Sequence, residues 1–204
     1  MKKNLFVIIL VTSFFVAQAQ DEKGFKKENL FTGGNISLSF GGDFFVIGGS
    51  PIFGYKLSEW ADAGVVANIT YTSQRDYFTF DDKLRQTTYG GGIFTRLFPV
   101  NFLFAQAQFE HNFTTAKYIP SDNSYLPFRE TVDANSLLVG AGYTQGRQPG
   151  SNTFFYVAIL WDVIKDENSP YVSIVNNGVI TSVRSYPIIR AGFNIGLFEG
   201  RNRR

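Results

Sequence analysis

Hydrophobic and polar residues alternate through residues 88–114, near the middle of the chain. The alternation breaks once, at Pro99-Val100-Asn101, where we expect a turn. Successive side chains of a strand point to opposite faces, so each half of the stretch predicts a strand with one apolar and one polar face. The polar faces carry Arg96, Gln106, Gln108 and Glu110. Each half has about ten residues, the length that a tilted strand needs to cross a bilayer.

The same two-residue period recurs along the chain and predicts eight strands. They lie near residues 32–40, 45–57, 63–72, 88–98, 103–113, 134–144, 153–164 and 187–198. The connections after the second, fourth and sixth strands are short, whereas those after the third, fifth and seventh are long. This rhythm is typical of antiparallel barrels in the bacterial outer membrane. Pro51 cannot donate a hydrogen bond to a neighbouring strand, which predicts a bulge in the second strand.

The charged residues indicate which face of the barrel is outside. All five charged residues within the predicted strands share the face that carries Gly, Ser, Asn and Gln. A soluble barrel, such as a lipocalin-like carrier, needs a charged outer surface, whereas an uncharged apolar face suits contact with lipid. The sequence therefore predicts an all-β fold, an eight-stranded antiparallel up-and-down transmembrane β-barrel with a polar lumen. The predicted lumen network is Lys56, Arg96, Gln106, Gln108, Glu110, Asp162 and Arg190.

The start of the chain is typical of a secretory signal peptide. Lys2 and Lys3 precede an apolar run at residues 5–17, and Ala17-Gln18-Ala19 offers the small residues that a signal peptidase recognises. We expect residues 1–19 to be removed and residues 20–204 to form the outer-membrane barrel domain. The leader holds two of the 19 basic residues and none of the 17 acidic ones. The mature chain then has no net charge and no electrostatic signature of nucleic-acid binding.

The composition narrows the possible chemistry. There is no Cys and only one His, so we expect neither a zinc cluster nor a disulfide, and no metal or cofactor. His111 must serve in any Ser-His-acid apparatus, but no serine stands two residues on, which makes it a weak catalytic candidate. We predict a protein that is not an enzyme, with a lipid A-modifying hydrolase or acyltransferase as one alternative. A narrow porin-like channel is another, although an eight-stranded interior is just wide enough for side chains.

Aromatic residues mark the predicted strand ends and the long loops. Those at the strand ends predict a belt at the membrane surface, and they are Tyr55, Trp60, Tyr71, Phe98, Phe102, Phe113, Tyr143 and Tyr186. Those in the loops are Tyr77, Phe78, Phe80, Tyr125 and Phe128. The loop residues favour one of two interpretations: strands that continue past the membrane as hairpins, or a contact surface for an extracellular or envelope protein.

The chain resembles the small outer-membrane β-barrel domain family, especially its Bacteroidota-type members. The resemblance rests on the leader, the eight alternating strands, the segment GGIFTRLFP at 91–99 and the final RAGFNIGLF at 190–198. It covers essentially all of the mature chain and implies an outer-membrane location among lipid and lipopolysaccharide. Gly192, Ile195 and Leu197 of the last strand resemble the signal that the barrel-assembly machinery reads. Members of this family mostly lack an established individual activity, so the resemblance implies a structural or interaction role.

Overall fold

A computed structural model describes residues 24–40, 44–77, 79–122, 125–176 and 181–198. The predicted signal peptide at 1–19 and the loop residue Phe78 lie outside these ranges. Within them the chain is all-β, with ten strands and a single 3-10 turn at Lys27–Asn29. The strands are β1 Leu30–Phe40, β2 Phe44–Ser58, β3 Ala61–Arg75, β4 Lys83–Val100, β5 Leu103–Ile119, β6 Arg129–Gln145, β7 Phe154–Asp162, β8 Val172–Asn176, β9 Thr181–Ser185 and β10 Ile188–Gly196.

Eight of the ten strands form a closed barrel with up-and-down topology. Each of β1 to β6 pairs antiparallel with the next strand, and β10 closes the ring between β7 and β1. The prediction of eight antiparallel strands in sequence order is therefore confirmed. The remaining two strands, β8 and β9, form a separate hairpin within the long connection from β7 to β10. No helix in the described part of the chain is long and apolar enough to span a bilayer.

The barrel is tall on one side and low on the other. Strands β3 to β6 have 15, 18, 17 and 17 residues, whereas β7 and β10 have nine each. The tall strands run past their predicted ends, so the connections shrink to residues 76–82 and 120–128. Of the two interpretations of these loops, continuation of the strands as hairpins agrees with the structure. We call this end of the barrel the loop end and the opposite end the turn end.

The polar face of the strands lies inside the barrel and the apolar face outside. In β7 burial alternates at every residue, with Tyr156 buried and its neighbours Phe155 and Val157 exposed. Two apolar clusters also occupy the interior. The larger is Phe98, Phe104, Leu138, Phe154, Tyr156, Ala158 and Leu160, and the smaller is Phe31, Ile52, Val66 and Phe94. Phe98 is 4% exposed and packs in this core, so its assignment to the outer aromatic belt is wrong.

The predicted bulge at Pro51 is also wrong. The pairs Gly49↔Ile69 and Ile52↔Val66 have the same register, so no residue is inserted between them. The β2–β3 ladder is only interrupted at Pro51 and its preceding residue, as expected for a residue without an N–H group. Pairing with β1 continues there, and the register shifts of β2 occur later, near Ser58.

Candidate functional site

Strand β5 builds a ladder of polar side chains inside the barrel. Every second residue points inward, so Gln106, Gln108 and Glu110 lie one above another. Arg96 donates from Nε to Gln106 Oε1 at 2.9 Å, and Gln106 donates from Nε2 to Gln108 Oε1 at 2.7 Å. Gln108 in turn donates to the Glu110 carboxylate. The alternation of β5 thus places three side chains in one hydrogen-bonded chain, and Arg96 joins it from the neighbouring strand β4.

Glu110 is the centre of this network and is completely buried. Arg190 of β10 donates to its Oε1 at 3.0 Å and forms an ion pair with it. Its Oε2 accepts hydrogen bonds from Tyr171 at 2.7 Å and from Asn112 at 2.9 Å. A buried carboxylate is tolerated only where a counter-charge and hydrogen bonds replace water. Glu110 has both, because β10 supplies the counter-charge and the hydrogen bonds come from β5 and from the segment after β7.

Arg96 is held without a carboxylate partner. Its guanidinium donates to Asn194 Oδ1 at 3.2 Å and lies over the Tyr156 ring, 4.3 Å from the centroid. Asp62 stands opposite Arg96 in the β3–β4 register, but no ion pair joins the two in the described residues. Asp62 is 2% exposed, and its Oδ1 has no hydrogen-bond partner. Sequence reasoning missed Asp62 because it precedes the predicted start of its strand at residue 63.

The structure separates the other two predicted network residues from the ladder. Lys56 lies at the turn end and pairs with the exposed Glu59 at 2.6 Å. Asp162 ends β7 and accepts hydrogen bonds from Ser169 Oγ at 2.7 Å and from the backbone N–H of Leu137 at 3.2 Å. Five of the seven predicted residues, Arg96, Gln106, Gln108, Glu110 and Arg190, are therefore brought together.

The segment after β7 folds into the barrel and covers the ladder. Ser169 reaches Ser136 of β6 at 2.9 Å, and Tyr171 reaches both Glu110 and Arg190. Burial, together with the nearby Glu110 carboxylate, raises the pKa of the Tyr171 phenol. The hydroxyl therefore stays protonated and donates to the carboxylate. Sequence reasoning missed Tyr171 because it lies in a loop, where no periodicity indicates the direction of a side chain.

Gly90 makes room for the upper end of the network. It lies between Asn68 and Asn112 in the register of β3, β4 and β5. A Cβ at Gly90 would stand 2.3 Å from Asn112 Oδ1, so only glycine lets the amide lie across β4. Asn112 uses its Nδ2 on Glu110, and its Oδ1 accepts a long hydrogen bond from Asn68 at 3.5 Å. The position therefore needs glycine for a packing reason.

Above the ladder the barrel encloses a cavity of ≈ 760 Å³ at the loop end. Hydroxyl groups of Thr70, Thr88 and Thr114 contribute to its walls, and Tyr171 lies at its base. Glu130 and Glu167 also line it, whereas no Lys or Arg of the described residues does. The cavity therefore offers hydroxyl, amide and carboxylate groups beside an apolar lining. The cavity does not continue through the interior, because the side chains of the ladder fill the barrel below it. These residues are at most 4% exposed: Arg96, Gln106, Gln108 and Glu110.

The aromatic loop candidates do not form one surface. Phe80 is the most exposed of them, at 87%, and Tyr77 lines the internal cavity. Phe128 stacks on the buried Tyr118 at 5.4 Å, and Tyr125 contacts the same ring edge-on at 6.4 Å. Phe128 and Tyr125 therefore help to close the β5–β6 hairpin, although 41% and 46% of their surface is still exposed. Phe78 lies outside the described residues.

His111, the weak catalytic candidate, lies on the outer face of β5. Its Nδ1 is 2.9 Å from Asn135 Oδ1, and its ring packs edge-on against Phe113 at 4.7 Å. No hydrogen bond joins it to a serine or a carboxylate in the part of the chain that is described. Likewise, no described group of three or more His, Asp or Glu side chains is placed to hold a metal ion. The surroundings of His111 are those of a polar side chain beside an aromatic pair.

No protein-family model matches the chain, and no curated protein is significantly similar to it. The resemblance to the small outer-membrane β-barrel family therefore stays a prediction.

Proposed function

We propose that this chain is an integral outer-membrane β-barrel protein with a structural or interaction role in the cell envelope. The observation that carries the proposal is the inverted polarity of the barrel. Charged and amide side chains such as Arg96, Gln108 and Glu110 are buried, while Ile36, Ile93 and Ile189 are 75%, 62% and 69% exposed. A soluble barrel has the opposite arrangement, because its charged residues must face water.

The dimensions of the apolar belt support the same proposal. In β5 the outward residues from Leu103 to Phe113 include no Asp, Glu, Lys or Arg. Ten residue steps at about 3.3 Å, inclined by about 40°, span roughly 25 Å, the height of the lipid-facing band of outer-membrane barrels. Exposed aromatic residues stand near both margins, with Tyr143 and Phe102 towards the turn end and Tyr89 towards the loop end. Aromatic side chains favour the two membrane surfaces.

The filled interior favours a structural or interaction role over a channel. The ion pair between Glu110 and Arg190 joins β5 to β10 across the lumen, and Tyr171 closes it from the loop end. An ion would have to break these contacts to pass. Exposed loop residues such as Phe80 and Leu126 are then the surface that can meet a partner outside the cell. The predicted leader is consistent with export across the inner membrane. The eight strands are consistent with insertion by the barrel-assembly machinery.

A fractionation experiment combined with a gel tests the proposal. The full chain is expressed in a Gram-negative host, the inner and outer membranes are separated, and the outer-membrane fraction is run on an SDS gel with and without boiling. We expect the protein in the outer-membrane fraction, with a faster-migrating band before boiling because closed barrels resist SDS. Recovery as a soluble periplasmic protein with a single band would contradict the proposal and favour the soluble carrier.

A further inference from the structure

Five basic residues gather on the outer face at the loop end of β3 to β6. Three of them are directly opposite one another on neighbouring strands, since Arg85 pairs with Lys117 and Lys117 pairs with Arg129. We call these three the basic row. The other two, Arg75 and Lys83, are paired with each other next to it. All three side chains of the basic row are exposed.

The basic row has no counter-charge within the described part of the protein. No ion pair joins any of its members to an acidic side chain. Glu130 points the other way and lines the internal cavity. The outward carboxylate on β6, Asp133, lies four residue steps from Arg129, opposite Phe113, and forms no ion pair with the row. Like charges directly opposite on adjacent strands destabilise a sheet. The chain therefore keeps an unfavourable arrangement on three strands at once, which indicates an anionic partner from outside the molecule.

The height of the basic row identifies that partner. The nearest exposed aromatic pair, Tyr89 and Phe113, stacks at 5.5 Å on the same outer face. Lys117 lies four residue steps beyond Phe113, which is about 10 Å of height for an inclined strand. The polar headgroup layer begins where the hydrocarbon ends and is several Å thick, and long basic side chains reach across the remaining distance. The row therefore lies level with lipid headgroups when the apolar belt is in the membrane.

We propose that the basic row binds the phosphate groups of lipid A in the outer leaflet. Arginine binds phosphate through two parallel hydrogen bonds, and each Lys or Arg near an anionic surface adds favourable electrostatic energy. Arg85 and Arg129 flank Lys117, so the three strands present a continuous phosphate-binding edge. This inference rests on the proposed function, because it requires the barrel to lie in that membrane.

The test compares the wild-type protein with the variant Arg85→Gln/Lys117→Gln/Arg129→Gln. Both are reconstituted into phosphatidylcholine vesicles that contain no lipid A, bis-phosphorylated lipid A, or dephosphorylated lipid A. The readout is the temperature at which the heat-dependent gel shift is lost. In phosphatidylcholine alone we expect the triple variant to unfold at a higher temperature, because the repulsion is gone. With phosphorylated lipid A we expect the order to reverse. The unfolding temperature of the wild type rises by roughly 6–12 °C, whereas that of the triple variant does not rise.

A second triple variant controls for the loss of charge itself. Lys27, Lys165 and Arg184 are exposed basic residues outside the row, and their replacement by Gln is expected to leave the lipid A response intact. If the first triple variant does not fold, Lys117→Gln alone removes the central charge and is expected to lose part of the response.

Three results overturn the inference. One is an equal lipid A response in the wild type and the row variants, another is an equal response to dephosphorylated lipid A, and the third is no response at all. In each case a normal heat-dependent shift and outer-membrane fractionation leave the proposed function standing. Failure of those two observations removes both proposals together.

Discussion

The barrel deals with charge in two opposite ways. Inside, Glu110 and Arg190 are 0% and 6% exposed and form an ion pair, and three further residues donate hydrogen bonds to the Glu110 carboxylate. Outside, the basic row of Arg85, Lys117 and Arg129 is exposed and has no ion pair with the described residues. Breaking a buried ion pair leaves an uncompensated charge, so Glu110 depends on partners that the chain itself supplies. Exposed charges can pair with groups outside the protein. The unpaired basic row therefore indicates that anionic groups lie next to it.

The largest effect is expected at the centre of the buried network. Glu110→Gln leaves the Arg190 guanidinium buried without its counter-charge, which we expect to reduce the free energy of unfolding by about 3–5 kcal/mol. The measurement is urea unfolding in lipid vesicles, followed by tryptophan fluorescence. The double variant Glu110→Leu/Arg190→Leu removes both charges and is expected to recover most of the loss. A single variant as stable as the wild type would show that the interior is solvated, and the contrast with the basic row would disappear.

Tyr171 connects the covering segment to that centre. Tyr171→Phe removes the 2.7 Å hydrogen bond to the Glu110 carboxylate, and we expect a loss of about 1.5–3 kcal/mol in unfolding free energy. Limited proteolysis is expected to cleave residues 163–170 faster, because the segment is then less firmly attached. Tyr125→Phe, at an exposed loop position, serves as the matched control. Unchanged proteolysis in the Tyr171 variant would mean that the ladder does not hold this segment.

Because Asn112 packs across Gly90, we expect alanine substitutions at two neighbouring glycines to destabilise the barrel by different amounts. Gly90→Ala places a methyl group 2.3 Å from both Asn112 Oδ1 and the His111 carbonyl oxygen, so we expect a loss of about 1–3 kcal/mol. Gly91 points outward, and a Cβ there would stand 3.1 Å from its nearest atom, the Val66 carbonyl oxygen. Gly91→Ala is therefore the control, with a smaller loss in the same urea titration. Equal losses would indicate that Asn112 does not need the space over β4.

The smallest effect is expected on the outer face at His111. His111→Ala removes an exposed polar contact with Asn135, and we expect a change below about 0.5 kcal/mol. Mass spectrometry of lipid A is expected to give the same spectrum with and without expression of the wild-type protein. A mass change that depends on the wild type and vanishes in His111→Ala would establish the enzymatic alternative instead.

The sequence was sufficient to predict the ring of eight strands and the face of the sheet to which most strand side chains point. Alternation in residues such as Gln106, Phe109 and Glu110 is strong because one face of each strand is apolar and the other is not. It fails beyond the apolar belt, where outward residues such as Arg85 and Thr87 are polar too. The period of two then loses its contrast, so β4 and β6 were predicted to begin too late and β5 to end too early.

The missing parts of the candidate site depend on contacts between distant segments. Tyr171 approaches Glu110 across 61 positions of the chain, and no local pattern predicts that a loop folds into the lumen. The basic row depends on register, because Arg85, Lys117 and Arg129 become neighbours only when three strands are aligned. The partners of Arg96 are likewise amides and aromatic rings from other strands, which no local pattern around residue 96 indicates.

The central claim is that the apolar face of this barrel contacts lipid, and a spin-label measurement tests it most directly. Since the chain has no Cys, Ile93→Cys gives one labelled site, on the outward face and 62% exposed in the structure. The label is measured in vesicles by its collisions with oxygen, which dissolves in lipid, and with a nickel chelate, which stays in water. We predict frequent collisions with oxygen and few with nickel, and the opposite at a Tyr125→Cys loop control. Collisions with nickel at Ile93→Cys as frequent as at the loop would contradict the account.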